Sequence, residues 1–511
     1  MTRENAVSKS DSSLFLSVDK ASGAPVFRQI VSQVKAREEA GLLKAGDKLP
    51  SVRGLAARLS VSVDTVLAAY RELEAEGLAE ARPRRGYFAA TPPRGEIPAA
   101  EKPGGAETAP EGGAPRELPE RARIADETLS FYRPYAHLEK PFALSSSFMA
   151  ESLEHEWIRL SGQLARSPWL HSNYTEPAGY RPLREAVAAR LRKERGIAAD
   201  AEDIVITSST VQSLGLALDL LFAPGDGILV SRPALPLSVR LMAFRRLALC
   251  WCGTDDGGMR LEEGAFHGPG GEKIRGAHVS PASHLPLSVP MSLPRREKLL
   301  AWARETGAWI LEDDADNGVW FGGEPVLPLR GMPGGDSCVI YLGSFSQLIA
   351  PGLRIAYAVV PKGLSRAFAG AKLMADRCGD ESRQAVLAGF LMSDAYDSHR
   401  RKMQRIFRER SRFLAEIICE KLAPYGRLMP AACGPRLVFR LRDGSPVSDQ
   451  EAAAALRESG VVVSPLSYYA TDRTPENGFV LGFSAFPKDE LEAAVLKLAA
   501  CLAKLDPEAR G

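Results

Sequence analysis

Residues 343–357 read GSFSQLIAPGLRIAY, and their types suit anion binding. Gly343, Ser344 and Ser346 make a tight turn rich in hydroxyls and backbone N–H groups. Pro351 and Gly352 bend the chain again, and Arg354 adds a guanidinium ahead of an apolar strand. Hydroxyls, amides and a guanidinium together form an anion cradle. It lacks an amine. No lysine occurs between Lys298 and Lys362, and Gln347 stands at the centre of the turn. An amide nitrogen is not nucleophilic and does not titrate near neutrality, so this turn offers neither covalent nor proton-transfer chemistry.

Three further stretches carry reactive or anion-binding groups. TSSTVQSL is a hydroxyl-rich strand-to-helix turn whose N–H groups and Thr210 can hold an anion with the helix dipole. LEDDADNGVWF sets carboxylates, Asp313 among them, at the C-terminal end of a strand, where open α/β sheets place their sites. In YTEPAGYRPLREAV, Gly179 and Pro182 shape a turn before a helix. Each also has a purely structural reading: Ser344 as a strand-end hydroxyl, Arg354 in an ion pair, Asp313 as a cap. His278 and His284 flank a strand-to-loop step and lack a third ligand, so they read as packing, and no metal site is expected. Arg400, Arg401, Lys402 and Arg405 form a basic helix face that reads as solvated.

A second constellation lies near the N-terminus. APVFRQIVSQVKAREEAGLL has apolar residues at helical spacing, and SVRGLAARLSVSVDTVLAAYRELEAEGLAEA gives two helices broken near Leu59 to Val61. Ser62 can cap the second helix, with Asp64 adding negative charge near its N-terminus. LAEARPRRGYFAA reads as a hairpin whose tip holds Arg82, Arg84 and Arg85 before Gly86. Three helices and a basic β-wing make a winged helix-turn-helix, which sets its second helix of the pair in the DNA major groove. Arg53, Ser62, Thr65, Tyr70 and Arg71 are the expected contacts there, and the wing suits a neighbouring groove or backbone. A plain three-helix packing module is the alternative.

These groups need elements to hold them. The chain has 511 residues, net charge +2 and a soluble protein's apolar fraction, which predicts two or three domains. Global charge argues neither for nor against nucleic acid, so any basic footprint is local. Seven scattered cysteines and an N-terminus without a signal-peptide core predict a reduced, cytoplasmic protein. Residues 20–90 form the DNA-binding module. Residues 91–125, rich in Pro, Gly and Ala, read as a linker. Residues 126–505 alternate strands and helices, which predicts an α/β body with a mixed, mostly parallel sheet and a smaller C-terminal α+β part over about 420–505.

LPSVRGLAARLSVSVDTVLAAYRELEAEGL, with RPRRGYF, closely resembles the DNA-binding domain of GntR-family bacterial regulators. Val63 and Asp64 depart from the Arg and Asn often found there, which leaves the operator sequence open. The four stretches of the body, in their order and spacing, resemble a fold-type I aminotransferase that uses pyridoxal phosphate. The whole chain is therefore identified as resembling a MocR/GabR-type regulator. The resemblance implies that Thr210, Ser344 and Arg354 face the cofactor phosphate, that Tyr174 reaches the neighbouring subunit's phosphate, and that Asp313 partners the pyridine nitrogen. It also exposes losses. Gln347 holds the Schiff-base lysine position, Ala315 a ring-hydroxyl tyrosine, Leu235 a ring-side aromatic, and Val480 the substrate-carboxylate arginine. Leu285 and Ser288 replace an aromatic and a glycine.

The expected function is a bacterial, cytoplasmic, homodimeric transcription regulator that binds operator DNA. Its body is expected not to be an enzyme, and to bind pyridoxal phosphate noncovalently or not at all. A small anionic or amino-acid-like effector is a further expected partner. Two alternatives remain: an aminotransferase with a DNA-binding extension, and a regulator whose body is only a dimerisation scaffold.

Overall fold

Apolar residues three and four apart build the N-terminal part of the protein. In a computed structural model, residues 16–19, 22–39, 43–83, 85–90, 118–131, 139–144, 151–164, 174–262, 264–268, 270–316, 318, 320–322, 325–431, 433–470 and 476–510 are described. The chain divides into two units, Met1–Arg116 and Glu117–Gly511. Most of the expected linker, residues 91–117, lies outside the described residues.

In the first unit, helices Val26–Glu39, Val52–Leu59 and Val63–Ala75 enclose a core that includes Ile30, Leu55, Val66, Tyr70 and Leu73. Ser51 and Ser62 cap the second and third helices through their hydroxyls, each worth about 1 kcal/mol. Ser60 ends the second helix in the left-handed region at φ 52°. Strands β1 (Ala79–Arg82) and β2 (Gly86–Ala89) pair antiparallel as the expected wing. Residues 46–49 add a third edge, because Leu49 N–H donates to the Tyr87 carbonyl and Ala89 N–H to the Asp47 carbonyl.

The second unit begins earlier than expected. Residues 120–125, assigned to the linker, lie in a helix, Glu120–Phe131. It is tied to the helix Pro236–Phe244 and the residues after it by Arg246–Glu120 and Arg240–Glu127 ion pairs and by Arg121 over the Phe244 ring. Charged partners far along the chain fix this segment, and composition alone does not reveal them.

The large sheet comprises β3 (Ile204–Thr207), β4 (Gly227–Arg232), β5 (Ala248–Asp255), β6 (Gly258–Met259), β7 (Ile274–Val279), β8 (Trp309–Asp314), β9 (Val339–Ser344) and β10 (Ala356–Val359). Its order is β3-β10-β9-β8-β7-β4-β5-β6. β10 runs antiparallel to both neighbours, β6 antiparallel to β5, and the remaining pairs are parallel. Near-continuous apolar strands such as IVIT and GILVS are the mark of a sheet buried on both faces. A smaller antiparallel sheet of β11 (Gly426–Leu428), β12 (Arg436–Leu441), β13 (Ser464–Pro465) and β14 (Gly478–Gly482) has the order β11-β12-β14-β13. Phe142 bridges to Gly482, so a segment from the start of the body joins this sheet and the small part is not confined to 420–505. One core cluster runs from Phe142 through β3, β9 and β10 to Leu502, joining both sheets. Among the described residues, no helix is long and apolar enough to cross a membrane.

Candidate functional site

On the first unit, Arg53 and Arg71 are exposed on the helix pair. Ser62 Oγ accepts from the Thr65 N–H at 3.1 Å and lies 2.7 Å from Thr65 Oγ1, so both hydroxyls are engaged in the cap. Tyr70 corrects the expectation. It is 0% exposed, and its hydroxyl donates to the Pro50 carbonyl at 2.9 Å, so it is a core residue and not a phosphate contact. The signal was available: Val66, Ala69, Tyr70 and Leu73 form one helical stripe. Arg82 closes the wing's turn, pairing with Gly86 and accepting from the Arg85 N–H at its carbonyl, and its part-exposed side chain bonds Glu80 and stacks over Phe88 at 4.4 Å. Arg85 and Gly86 are exposed in the turn, with Gly86 at φ 98°. Arg84 lies outside the described residues. Lys48 was not foreseen; its bridge to Phe88 places it, exposed, beside Gly86.

In the body, strand alternation decides which side chains meet. Leu311, Ile340, Leu342 and Val205 share a cluster with the helix Thr210–Leu221. Asp313, two residues after Leu311, and Ser344, two after Leu342, therefore lie on the face that this helix covers. Thr207 joins them, its Oγ1 2.7 Å from Ser213 Oγ. Ala356 pairs with both Ser344 and Thr207, so Arg354 enters at the same edge. Arg354 itself is exposed, at φ 54°, with no ion pair among the described residues. Tyr174 is 73% exposed, with the Arg377 guanidinium 3.8 Å from its ring centroid. Asp313, Ser344 and Thr207 thus share one sheet face, Thr210 opens the helix that covers it, and Arg354 and Tyr174 are exposed.

The helix N-terminus is partly satisfied by the protein itself. Gln212 Oε1 accepts from the Ser208 N–H, and Ser209 Oγ accepts from the Gln212 N–H. Gln212 Nε2 donates to Asp376, which also accepts from the buried Lys372. Ser344 Oγ accepts from the Ser346 N–H at 3.1 Å. Gln347 sits half-buried in the turn after β9.

Asp313 is fully buried. Its Oδ1 accepts from the Ala315 N–H at 3.1 Å, and its Oδ2 lies 4.0 Å from His278 Nε2. Burial pushes Asp313 up to about 7 and His278 down to about 4. His278 and His284 hold no metal cluster with other His, Cys, Asp or Glu among the described residues. On the opposite sheet face, Asp314 accepts from Arg195 at 2.6 Å and from the Tyr341 hydroxyl at 2.7 Å. Leu235 packs on an apolar cluster of Leu287, Val289, Val438, Leu466 and Val480, which closes the space between the two sheets. These long-range partners were not foreseen, because each pair is separated by tens to hundreds of residues.

Residues 27–88 match the bacterial regulatory proteins of the gntR family, and residues 153–245 and 284–498 match aminotransferase class I and II. The chain is 27% identical to the HTH-type transcriptional regulator YhdI of Bacillus subtilis, over 96% of this chain and 98% of that one. It is likewise 27% identical to the probable rhizopine catabolism regulatory protein MocR of Rhizobium meliloti, over 96% of each. Its fold is that of Pyrococcus horikoshii kynurenine aminotransferase, with a TM-score of 0.67 and 22% identity over 76% of this chain and 97% of that one. A DNA-binding module and an aminotransferase fold on one polypeptide make this protein a member of the class I and II aminotransferase family and, through its gntR-family module, a MocR-type DNA-binding transcription regulator.

Proposed function

We propose that this regulator works by binding, with no transaminase chemistry in its body. Gln347 carries the reading. It stands where the resemblance requires an amine, and an amide can neither form a Schiff base nor shuttle a proton. The fold family normally uses pyridoxal phosphate, and the residues here do not fit it as a covalently held group. Ala315 and Leu235 supply no ring contacts of the expected kind, and His278 Nε2 lies buried without a hydrogen-bond partner beside Asp313. Thr210, Ser344 and Arg354 retain groups suited to an anion, which supports noncovalent capture of a small anionic or amino-acid-like effector.

At the other end of the chain, Arg53, Arg71, Arg85 and Lys48 supply the basic surface for duplex DNA, with Ser62 and Thr65 holding the start of the reading helix in place. The resemblance sets Tyr174 toward a second copy of the chain, its exposure beside Arg377 supports that reading, and two copies double the DNA contacts. The test is to add pyridoxal phosphate, then borohydride, to the full-length protein and map the peptides by mass. No lysyl adduct at the site is expected, alongside retained DNA binding. An adduct on a lysine of this cleft restores the enzyme reading.

A further inference from the structure

Arg436 opens β12 and crosses from the small sheet to the loop after β8. It is 8% exposed, and its partner Asp316 is 6% exposed. A single nitrogen makes the contact: Nη2 donates to Asp316 Oδ1 at 2.9 Å and to Oδ2 at 2.8 Å. Nη1 is buried and has no hydrogen-bond partner. A guanidinium can engage a carboxylate through two parallel bonds from two nitrogens. Here one nitrogen holds the carboxylate, and the second, buried donor is left without a partner. Leaving such a donor unmade is costly, because it has given up water for nothing.

The chain is closely packed around the pair. Gly434, at φ 89°, lets the chain approach closely: a Cβ there would lie 3.1 Å from Asp316 Oδ2 and 3.5 Å from Ser283 Oγ. The Cys433 thiol reaches the Ala282 carbonyl at 3.4 Å, and Cys433 bridges to Trp320, so this small-sheet turn lies directly on two loops of the large sheet. Buried ion pairs of this kind seldom stabilise relative to apolar packing. Burial raises the Asp316 carboxyl despite Arg436 beside it. The pair is therefore poorly compensated and can exchange partners.

We propose that Arg436 is the receptor for the carboxylate of a small ligand, and that Asp316 is an internal carboxylate occupying its place until the ligand arrives. Arg436 pairs with Gly482 and Val438 with Val480, so Arg436 lies on the same sheet face as Val480, one pairing step along, while the Val480 position itself is filled with apolar side chains. Ligand entry separates β12 from the loop carrying Asp316 and so changes how the two sheets meet. This rests on reading the body as a noncatalytic effector domain.

The test titrates acetate, with methylammonium as the cation control, into the full-length protein by calorimetry. Asp316→Asn frees Arg436, and acetate should bind it about tenfold or more tightly than the native chain, the factor that one charge-assisted hydrogen bond is worth. The double variant Asp316→Asn with Arg436→Met removes both charges and should lose acetate binding. If Asp316→Asn is too unstable for calorimetry, acetate should raise its melting temperature and leave that of the double variant unmoved. Equal responses of the two variants, or no response of Asp316→Asn, overturn the proposal. Neither result bears on the borohydride experiment, whose failure would instead overturn the noncatalytic reading.

Discussion

His399 Nε2 lies 2.8 Å from the carbonyl oxygen of Leu348, so the long helix Asp394–Leu422 holds the turn that carries Gln347. Burial lowers the imidazole's basicity, and the neutral ring donates one N–H to that carbonyl. The turn is thus fixed from outside, independently of residue 347. Gln347→Lys should fold and place an amine in the cleft. With pyridoxal phosphate added, it should show a weak Schiff-base absorbance band that the native protein lacks. A strong band in the native protein would put the site elsewhere.

Tyr70 and Arg71 are neighbours with opposite fates. Tyr70→Phe removes the bond to the Pro50 carbonyl and should cost about 1 kcal/mol of stability in the N-terminal unit, read by thermal melting. DNA affinity at low temperature should hardly change. Arg71→Ala should leave melting unchanged and weaken binding across all sequences. It should also reduce the slope of log affinity against log salt by about 1.

Asp313 sets a pH dependence of known sign. Its carboxyl is raised from 3.8 to about 7, so the folded state holds the proton more tightly than the unfolded chain does. Stability from this group is present at low pH and is lost as pH rises from about 4 to about 7. Asp313→Asn should therefore stabilise the protein more at pH 8 than at pH 5, by an extra amount on the order of 2 kcal/mol in urea melts. His278, lowered to about 4, acts in the opposite direction but is present in both proteins.

Gly179 sits at φ 98°, and a Cβ there would lie 2.6 Å from Ile206 Cβ and 2.8 Å from Gln384 Oε1. That oxygen accepts the Tyr180 N–H at 2.8 Å. Gly179→Ala should cost the body about 2–3 kcal/mol, through both the left-handed backbone and the overlap, and appear as a lower denaturant midpoint.

Local pattern carried much of the molecule. Period-2 and period-3.6 stripes located the wing, the helix pair and the alternating body, and the carboxylates of LEDD fell at the end of β8 as read. Tyr70 was misjudged because residue type was weighed above its place on a buried stripe. Arg82 lies at the wing's turn as the pattern indicates, and only its contact with Glu80 on the same strand is not legible there. Arg195 with Asp314, Arg436 with Asp316 and His399 with Leu348 were out of reach, since each depends on chain segments brought together only by the tertiary fold.

The core that runs from Phe142 to Leu502 has a consequence for biosynthesis. The N-terminal unit closes on its own cluster, which ends at Ala89, and can settle while the ribosome is still working. In the body, the cluster that holds residues of β3 and β10 also contains Leu491, Val495 and Leu498, so that part of the interior is complete only after those last turns emerge. A nascent chain interrupted late in translation would therefore carry a finished DNA-binding head on an unfinished, aggregation-prone trunk.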